Sequence, residues 1–275
     1  MIDYKTPEEI EIMRQGGRIL AQVLFEVLDN VRPGVSEKDI DLLADRLISE
    51  KGAEAGFKKV KGYSHATCIS TNDVVVHGIP SNYKFKEGEV VGIDCGVFYK
   101  GFNTDMSETR RVSNQKSHLR QGSRFAARRV GGQAKIKNQK YDDVDRFLDT
   151  GKKALNEAIK VAVVGNRIGH ISKTIQEIVE GQGYSIVRSL IGHGVGKKLH
   201  EEPEVPGFLN KKIEKTPMLK EGMTIAIEVI YNMRSHEVSY SNRDGWTITT
   251  SDGSMSGLFE RTIAITKDGS IVLTV

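Results

Sequence analysis

The chain has 275 residues, of which 38% are hydrophobic and 28% are charged, with a formal net charge of +4. This composition supports a folded core and excludes a disordered protein. The two cysteines form no CxxC pair, which excludes a disulfide framework. The acidic N-terminal segment lacks the apolar stretch of a signal peptide, and no apolar run is long enough to span a membrane. We therefore expect a cytoplasmic protein without membrane contact.

The first part of the chain predicts two helices followed by strands. Thr6-Pro7-Glu8-Glu9 is a capping box with proline at the first helical position, so it begins a helix that runs to about Asp29. Ser36 and Asp39 begin a second helix, which Gly52 ends. Short apolar runs then predict strands. These strands cover residues 67–70, 74–76, 90–99 and 106–112.

The same order of elements returns in the second part of the chain. A long helix is predicted over about 142–162 and a shorter one over about 170–180, where glycines follow. Apolar runs again predict strands. These strands cover residues 184–191, 223–232, 246–250, 259–266 and 271–275.

A repeated motif supports a duplication. Residues 86–94 (KEGEVVGID) and 220–228 (KEGMTIAIE) both read Lys-Glu-Gly, an apolar strand, isoleucine and an acid, and they lie 134 residues apart. Such a repeat predicts two helix-helix-strand halves related by a pseudo-two-fold axis. The expected class is α/β (α+β), with one shared antiparallel sheet. We predict a single domain over 1–275, with halves of about 1–112 and 142–275 and an insertion at 113–141.

Each half supplies two acids at its strands. Asp94 and Glu228 end the two repeated motifs, Asp105 follows Asp94 by 11 residues, and Glu260 follows Glu228 by 32 residues at the head of a predicted strand. Four acids in one core would repel each other unless cations neutralise them. Two divalent ions that share bridging carboxylates would do so, and they would also generate a nucleophilic hydroxide near neutral pH.

Three histidines lie in contexts that suit a functional site. His77 lies in a turn at a strand end, His193 lies between Gly192 and Gly194, and His200 follows seven residues later. The flanking glycines allow close backbone approach and leave the His193 ring accessible. One histidine with four carboxylates suits Mn, Fe, Co or Zn rather than a thiolate-type structural zinc site.

At these residues the chain resembles the type I methionine aminopeptidases, which have the pita-bread fold. The interval from His200 to Glu228 is 28 residues, too short for the extra helical segment of type II relatives. The resemblance covers the chain except for about 113–142. The matching stretches are 68–72 (CISTN), 77–80 (HGIP), 92–94 (GID), 101–105 (GFNTD), 192–203 (GHGVGKKLHEEP), 227–228 (IE), 244–247 (DGWT) and 260–262 (ERT).

The resemblance implies an aminopeptidase with two metal ions. Such an enzyme removes the N-terminal methionine from nascent proteins by attack of a metal-activated water on the first peptide bond, and it prefers a small second residue. Asp105 and Glu260 would bridge the two divalent ions, which would be Co, Mn, Fe or Zn. The implied ligands are Asp94, Asp105, His193, Glu228 and Glu260.

The resemblance also implies catalytic and substrate-binding roles. Glu228 would accept the proton of the attacking water, His200 would donate a hydrogen bond to the scissile carbonyl, and His77 would contact the scissile amide. The residues that would line the methionine pocket are Phe57, Tyr63, Cys68, Leu199 and Trp246. A loop for one monovalent cation would include Asn72, Val74 and Ser256.

Three positions depart from the family pattern. The family commonly has an aromatic residue and a proline near Val60 and Ser64, and a proline where Val229 stands. These departures concern the shape of the pocket rather than the metal ligands.

The basic insertion at 113–141 is the largest departure. It holds eight lysines and arginines and no acid before Tyr141, so the rest of the chain is net negative. One interpretation is a solvated loop, and the other is a contact to the phosphates of ribosomal RNA.

Three hypotheses about function follow from the sequence. The first is a monomeric methionine aminopeptidase that acts on nascent chains. The second is a prolidase-type enzyme, which the lack of room for an extra domain before Glu50 disfavours. The third is a non-enzymatic binder of RNA or ribosomes, which the presence of all five implied ligands disfavours.

Overall fold

The computed structural model describes residues 2–114, 138–240 and 244–275. Two helices begin the chain, α1 (Pro7–Asn30) and α2 (Glu37–Glu50). At the start of α1 the Glu9 N–H donates to the Thr6 hydroxyl at 3.3 Å, and the Thr6 N–H donates to the Glu9 carboxylate at 3.0 Å. Ser36 and Asp39 form the same arrangement at α2. The sequence therefore predicted both helix starts correctly.

The strands of the first half follow these helices. They are β1 (Glu54–Ala55), β2 (Thr67–Thr71), β3 (Val74–Val76), β4 (Val90–Tyr99) and β5 (Phe102–Arg111). The second half begins with α3 (Asn138–Val161) and α4 (Ile168–Glu180). Its strands are β6 (Ser185–Ile186), β7 (Gly192–Gly194), β8 (Glu201–Val205), β9 (Thr224–Asn232), β10 (Val238–Tyr240), β11 (Ile248–Thr250), β12 (Ser256–Thr266) and β13 (Gly269–Val272).

One large antiparallel sheet joins the two halves. Within the described part of the chain its order is β1-β4-β5-β12-β9-β7-β8, with β2 beside β4, β6 beside β9 and β13 beside β12. A smaller sheet has the order β10-β11-β3. The halves meet where β5 pairs with β12, with Ser107 opposite Glu260. This arrangement confirms the predicted fold class and the shared antiparallel sheet.

Each half has its own hydrophobic core. Helices α1 and α2 bury Leu20, Leu24 and Ile40 in a cluster that includes residues of β4. Helices α3 and α4 bury Phe147 and Ile175 in a second cluster that includes residues of β9 and β12. Two cores on one sheet leave the junction of the halves available for polar residues.

Several predicted strand limits were wrong. Strand β5 begins at Phe102 rather than at residue 106, because Lys100 and Gly101 both have positive φ and form a two-residue turn after Tyr99. Of the strand predicted over 184–191 only Ser185–Ile186 is extended, as β6, and β7 begins beyond it at Gly192. Strand β8 was missed, because its acids and Pro203 predict a loop, whereas pairing with β7 makes it extended.

The predicted basic insertion falls largely on residues 115–137, which lie outside the described residues. Helix α3 begins at Asn138, four residues before the predicted start. None of the described helices combines the length and the hydrophobicity that crossing a lipid bilayer requires.

Candidate active site

The four predicted acids lie on one face of four neighbouring strands at the junction of the halves. Ser107 on β5 lies opposite both Asp94 on β4 and Glu260 on β12, and Glu260 also lies opposite Glu228 on β9. Asp105 precedes Ser107 by two residues. Because directly paired residues and residues two apart share a face of a sheet, all four carboxylates point to the same side.

His193 completes this cluster from β7. It pairs with Ala226, two residues before Glu228, and its Nε2 lies 3.6 Å from a Glu228 carboxylate oxygen. Its Nδ1 lies 2.8 Å from the Gly194 carbonyl oxygen, which can only accept, so Nδ1 carries the hydrogen. Nε2 is thereby left as the lone-pair nitrogen. Asp105, His193 and Glu260 each offer an atom within 4.8 Å of the others.

Burial disfavours the ionised form of the four carboxyl groups in this cluster. Burial raises the pKa of Asp94 to about 7. Burial and the neighbouring carboxylates raise the pKa values of Asp105 and Glu260 well above their ordinary range, and burial together with Asp94 does the same to Glu228. Burial also lowers the pKa of His193 to about 4. At neutral pH the cluster therefore has a neutral imidazole and more acids than it can hold ionised without a cation.

The donor set fits divalent metal ions. One oxygen of Asp94 and one of Glu260 are buried and accept no hydrogen bond from the described residues. Four carboxylates and one imidazole nitrogen are the ligands that first-row divalent ions prefer. Unpartnered oxygens inside such a set are the positions where a cation would compensate the cost of burial.

His77 and His200 lie beside the cluster formed by the four acids and His193, and neither belongs to it. The ring of His200 contacts that of His193, with centroids 4.3 Å apart. His77 has a φ of 57°, a conformation that costs a non-glycine residue about 1–3 kcal/mol and that is enriched at functional sites. Burial lowers the pKa of both rings, so both are neutral at pH 7. A neutral ring keeps one N–H donor and one acceptor.

A small pocket of about 130 Å³ opens onto the acids. All the residues predicted as divalent-metal ligands, catalytic residues or methionine-pocket residues line it, and so does Val60, a position where the sequence departs from the family. Its apolar wall is Phe57, Tyr63, Cys68, Leu199 and Trp246. Asp244 holds Trp246 in this wall: its carboxylate accepts hydrogen bonds from the backbone N–H groups of Trp246 and Thr247, each at 2.8 Å. No motif in the sequence indicated this role of Asp244.

A larger groove of about 740 Å³ continues outward from Asp94, Glu228 and the three histidines of the site. The sequence analysis assigned no role to several of its wall residues, which are Leu190, Ile191, Lys198, Glu202 and Glu204. Their only signal is that they lie within or next to the matching stretch 192–203. The groove is a path by which an extended chain can reach the pocket.

Two of the residues named for a monovalent cation, Asn72 and Ser256, contact each other. The Ser256 N–H donates to the Asn72 carbonyl oxygen at 2.9 Å, and the Ser256 hydroxyl donates to the Tyr231 carbonyl. Val74 is two residues from Asn72 and lies in β3, opposite Thr249. Contact between Asn72 and Ser256 is compatible with the expected loop.

Comparison with known proteins agrees with this geometry. The sequence profile of Metallopeptidase family M24 matches residues 11–267. A methionine aminopeptidase of Clostridium perfringens is 36% identical over 274 residues, which cover 100% of this chain and 99% of that protein. Methionine aminopeptidase 1 of Bacillus subtilis shows the same identity and coverage.

Solved structures show the same relation. The crystal structure of a methionine aminopeptidase from Thermotoga maritima has a TM-score of 0.86 at 34% identity, covering 100% of this chain and 99% of that one. A prolidase from Pyrococcus furiosus, with a TM-score of 0.72 and 22% identity, covers 99% of this chain and 65% of that one, and this likeness shows the fold alone. The fold and the acid cluster thus define a pita-bread metallopeptidase. The chain belongs to metallopeptidase family M24 and, within it, to the methionine aminopeptidases.

The raised pKa of Asp94 predicts a stability change in the metal-free protein. A carboxyl whose pKa rises on folding from 3.8 to about 7 favours the folded state below pH 4, and this contribution is lost as pH rises towards 7. Asp94→Asn should therefore raise the melting temperature of the chelator-treated protein at pH 8, by about 2–4 °C for each kcal/mol recovered. Differential scanning calorimetry measures this shift.

The control for this prediction is the same variant with excess Mn²⁺. The wild-type protein should gain stability from Mn²⁺ and Asp94→Asn should gain much less, because a ligand has been removed. A variant less stable than the wild type without metal at pH 8 would contradict the account.

Proposed function

We propose that this chain removes the N-terminal methionine of nascent proteins by hydrolysis of the first peptide bond, with a preference for a small second residue. The observation that carries the proposal is the small apolar pocket that opens onto the acid cluster. A pocket of about 130 Å³ accommodates one side chain, and its apolar wall of Phe57, Tyr63 and Cys68 suits a thioether.

Two divalent ions, of Co, Mn, Fe or Zn, would be held by the acid cluster and His193. When bound, such ions supply Lewis acidity that polarises the scissile carbonyl and acidifies the attacking water. The support is the chemistry of the donor set and its two unpartnered oxygens. Asp105 and Glu260, which are 4% and 2% exposed, would be shared by the two ions.

Three residues of this chain contact the substrate or transfer a proton. Glu228, which lies beside His193, accepts the proton of the attacking water. His200 donates its N–H to the scissile carbonyl oxygen, where negative charge develops. His77 contacts the scissile amide and assists departure of the amine. The neutral state of both rings at pH 7 leaves each with the N–H that this role needs.

The remaining features complete the proposal. We infer one catalytic domain over 1–275, with halves of about 1–112 and 142–275, in a monomeric cytoplasmic enzyme. One monovalent cation would bind near Asn72, Val74 and Ser256, where an Asn72 carbonyl already meets the Ser256 backbone.

A pair of peptide substrates tests the proposed activity. The wild-type enzyme should release methionine rapidly from Met-Ala-Ser and slowly from Met-Phe-Ser, because the proposed function includes a preference for a small second residue. Treatment with a chelator should abolish both reactions, and Mn²⁺ or Co²⁺ should restore them. Val60 and Ser64 are the positions where substitution should change this preference. Equal rates on the two peptides would contradict it.

Two histidine variants separate metal binding from turnover. His193→Ala should weaken Mn²⁺ binding by about 100-fold or more, because mutating groups that only hydrogen-bond to a metal ligand already costs about 10- to 100-fold. His77→Ala should lower kcat by about 10²–10⁴, the range for a lost acid–base group, with Mn²⁺ affinity unchanged. Calorimetric titration and peptide assays measure the two effects. Loss of metal from the His77 variant would refute its proposed role.

The basic insertion at 113–141 is proposed to contact ribosomal RNA. Its eight cations provide affinity for phosphates, and this affinity should fall steeply with salt, at a log–log slope of roughly −0.7 to −0.9 for each phosphate neutralised. A variant in which a short turn joins Val112 to Tyr141 should keep activity on Met-Ala-Ser and lose ribosome binding in sedimentation assays. Equal binding after deletion would reject this role, and a solvated loop would then be the better interpretation.

A further inference from the structure

A buried carboxylate outside the acid cluster links helix α2 to the methionine pocket through hydrogen bonds. Asp41 lies in the second turn of α2 and is 6% exposed. Its Oδ1 accepts hydrogen bonds from the N–H of Ala66 and from both the N–H and the hydroxyl of Thr67, each at 2.9 Å. Its Oδ2 lies 3.0 Å from Nδ1 of His65, and because a carboxylate only accepts, that nitrogen donates.

These partners surround the pocket residue Tyr63. The Tyr63 hydroxyl donates to the Thr67 carbonyl oxygen at 2.8 Å and lies 3.1 Å from the Cys68 Sγ. Its ring packs against the His65 ring, with centroids 5.7 Å apart. Asp41 therefore holds both the strand residue that anchors the Tyr63 hydroxyl and the histidine that supports its ring.

The same contacts determine where β2 begins beside the metal cluster. In the pairing of β2 with β4, Thr67 lies opposite Cys95 and Cys68 lies opposite Asp94. A shift of Thr67 would thus move Cys68, a wall residue, relative to a metal-cluster acid. Without Asp41, three donors at Ala66 and Thr67 would be buried and unpaired, and the local structure would have to move to satisfy them.

We propose that Asp41 is a positioning residue for the methionine pocket: its four hydrogen bonds set where Tyr63 and Cys68 stand against the substrate side chain. This inference rests on the proposed function, and it adds a residue that touches neither substrate nor metal. Its effect is on discrimination at the first substrate residue rather than on the chemistry of hydrolysis.

Glu37 provides a matched control on the same helix. It is also 6% exposed, and it accepts hydrogen bonds from the Thr71 hydroxyl and from the N–H and hydroxyl of Ser81. Thr71 is at the opposite end of β2, and neither partner lines the pocket. Glu37→Ala should therefore cost stability in a similar way without affecting the pocket.

The test measures kcat/KM for Met-Ala-Ser and Leu-Ala-Ser in the Mn²⁺-loaded enzyme. Asp41→Ala should lower the Met/Leu ratio by roughly tenfold or more, since apolar pockets discriminate similar side chains by about 10- to 200-fold. Asp41→Asn should retain most of the ratio, because its amide oxygen still accepts the three donors and the His65 nitrogen can accept from its NH₂ group. Glu37→Ala should leave the ratio unchanged.

The ratio distinguishes positioning from loss of folded enzyme. Partial unfolding lowers kcat/KM for both peptides equally, so an unchanged ratio in folded Asp41→Ala would overturn the inference. If that variant does not fold, Thr67→Val removes one of the four hydrogen bonds and should lower the ratio by a smaller factor. An unchanged ratio in Thr67→Val would then overturn it.

A binding measurement separates this inference from the proposed function. Trp246 is the single tryptophan and packs on Tyr63 with ring centroids 5.1 Å apart, so its fluorescence reports occupancy of the pocket by L-methionine. Asp41→Ala should weaken methionine binding by roughly tenfold, in line with the ratio. If the wild-type enzyme cleaves Met-Ala-Ser but every variant keeps its affinity for methionine, the proposed role of Asp41 is refuted and the proposed function is not. A wild-type enzyme without methionine preference would refute the proposed function itself.

Discussion

Mutual repulsion among four carboxylates is the constraint on which this structure depends. Asp94, Asp105, Glu228 and Glu260 lie on one face of four adjacent strands, and burial raises the pKa of each. Within the described residues no lysine or arginine forms an ion pair with these four acids, and burial keeps His193 neutral. A sheet with this centre is stabilised by divalent cations, and the protein's metal dependence follows from that charge imbalance.

The duplicated fold supplies both the acids and the space around them. Each half brings two neighbouring acid-bearing strands to the junction, and its own helices cover the opposite face of those strands in separate cores. Glycine at position 96 makes room for the pocket, because a Cβ there would lie 2.8 Å from the Phe57 ring. The pocket wall therefore approaches the strands that carry the acids, and in the proposed function a side chain held in the pocket would place the following peptide bond beside them.

Sequence patterns anticipated which residues come together at the junction of the halves better than they anticipated the limits of the strands. The Lys-Glu-Gly repeat located Asp94 and Glu228, and family motifs located His193 and the pocket wall. Strand β8 was missed because pairing with β7 overrides a local pattern rich in acids. Asp41 gave no signal, since a single acid on a helix resembles a surface residue until its partners 24 to 26 positions away are known.

The central claim, that the acid cluster is a site for two divalent ions, is tested most directly by anomalous X-ray diffraction. Crystals of the protein grown with Mn²⁺ would be measured on both sides of the manganese absorption edge. The account predicts two anomalous peaks, roughly 3.5–4 Å apart, among the carboxylates of Asp94, Asp105, Glu228 and Glu260. One of the two peaks should lie beside Nε2 of His193. An absence of peaks at these carboxylates, with Mn²⁺ bound elsewhere on the protein, would contradict it.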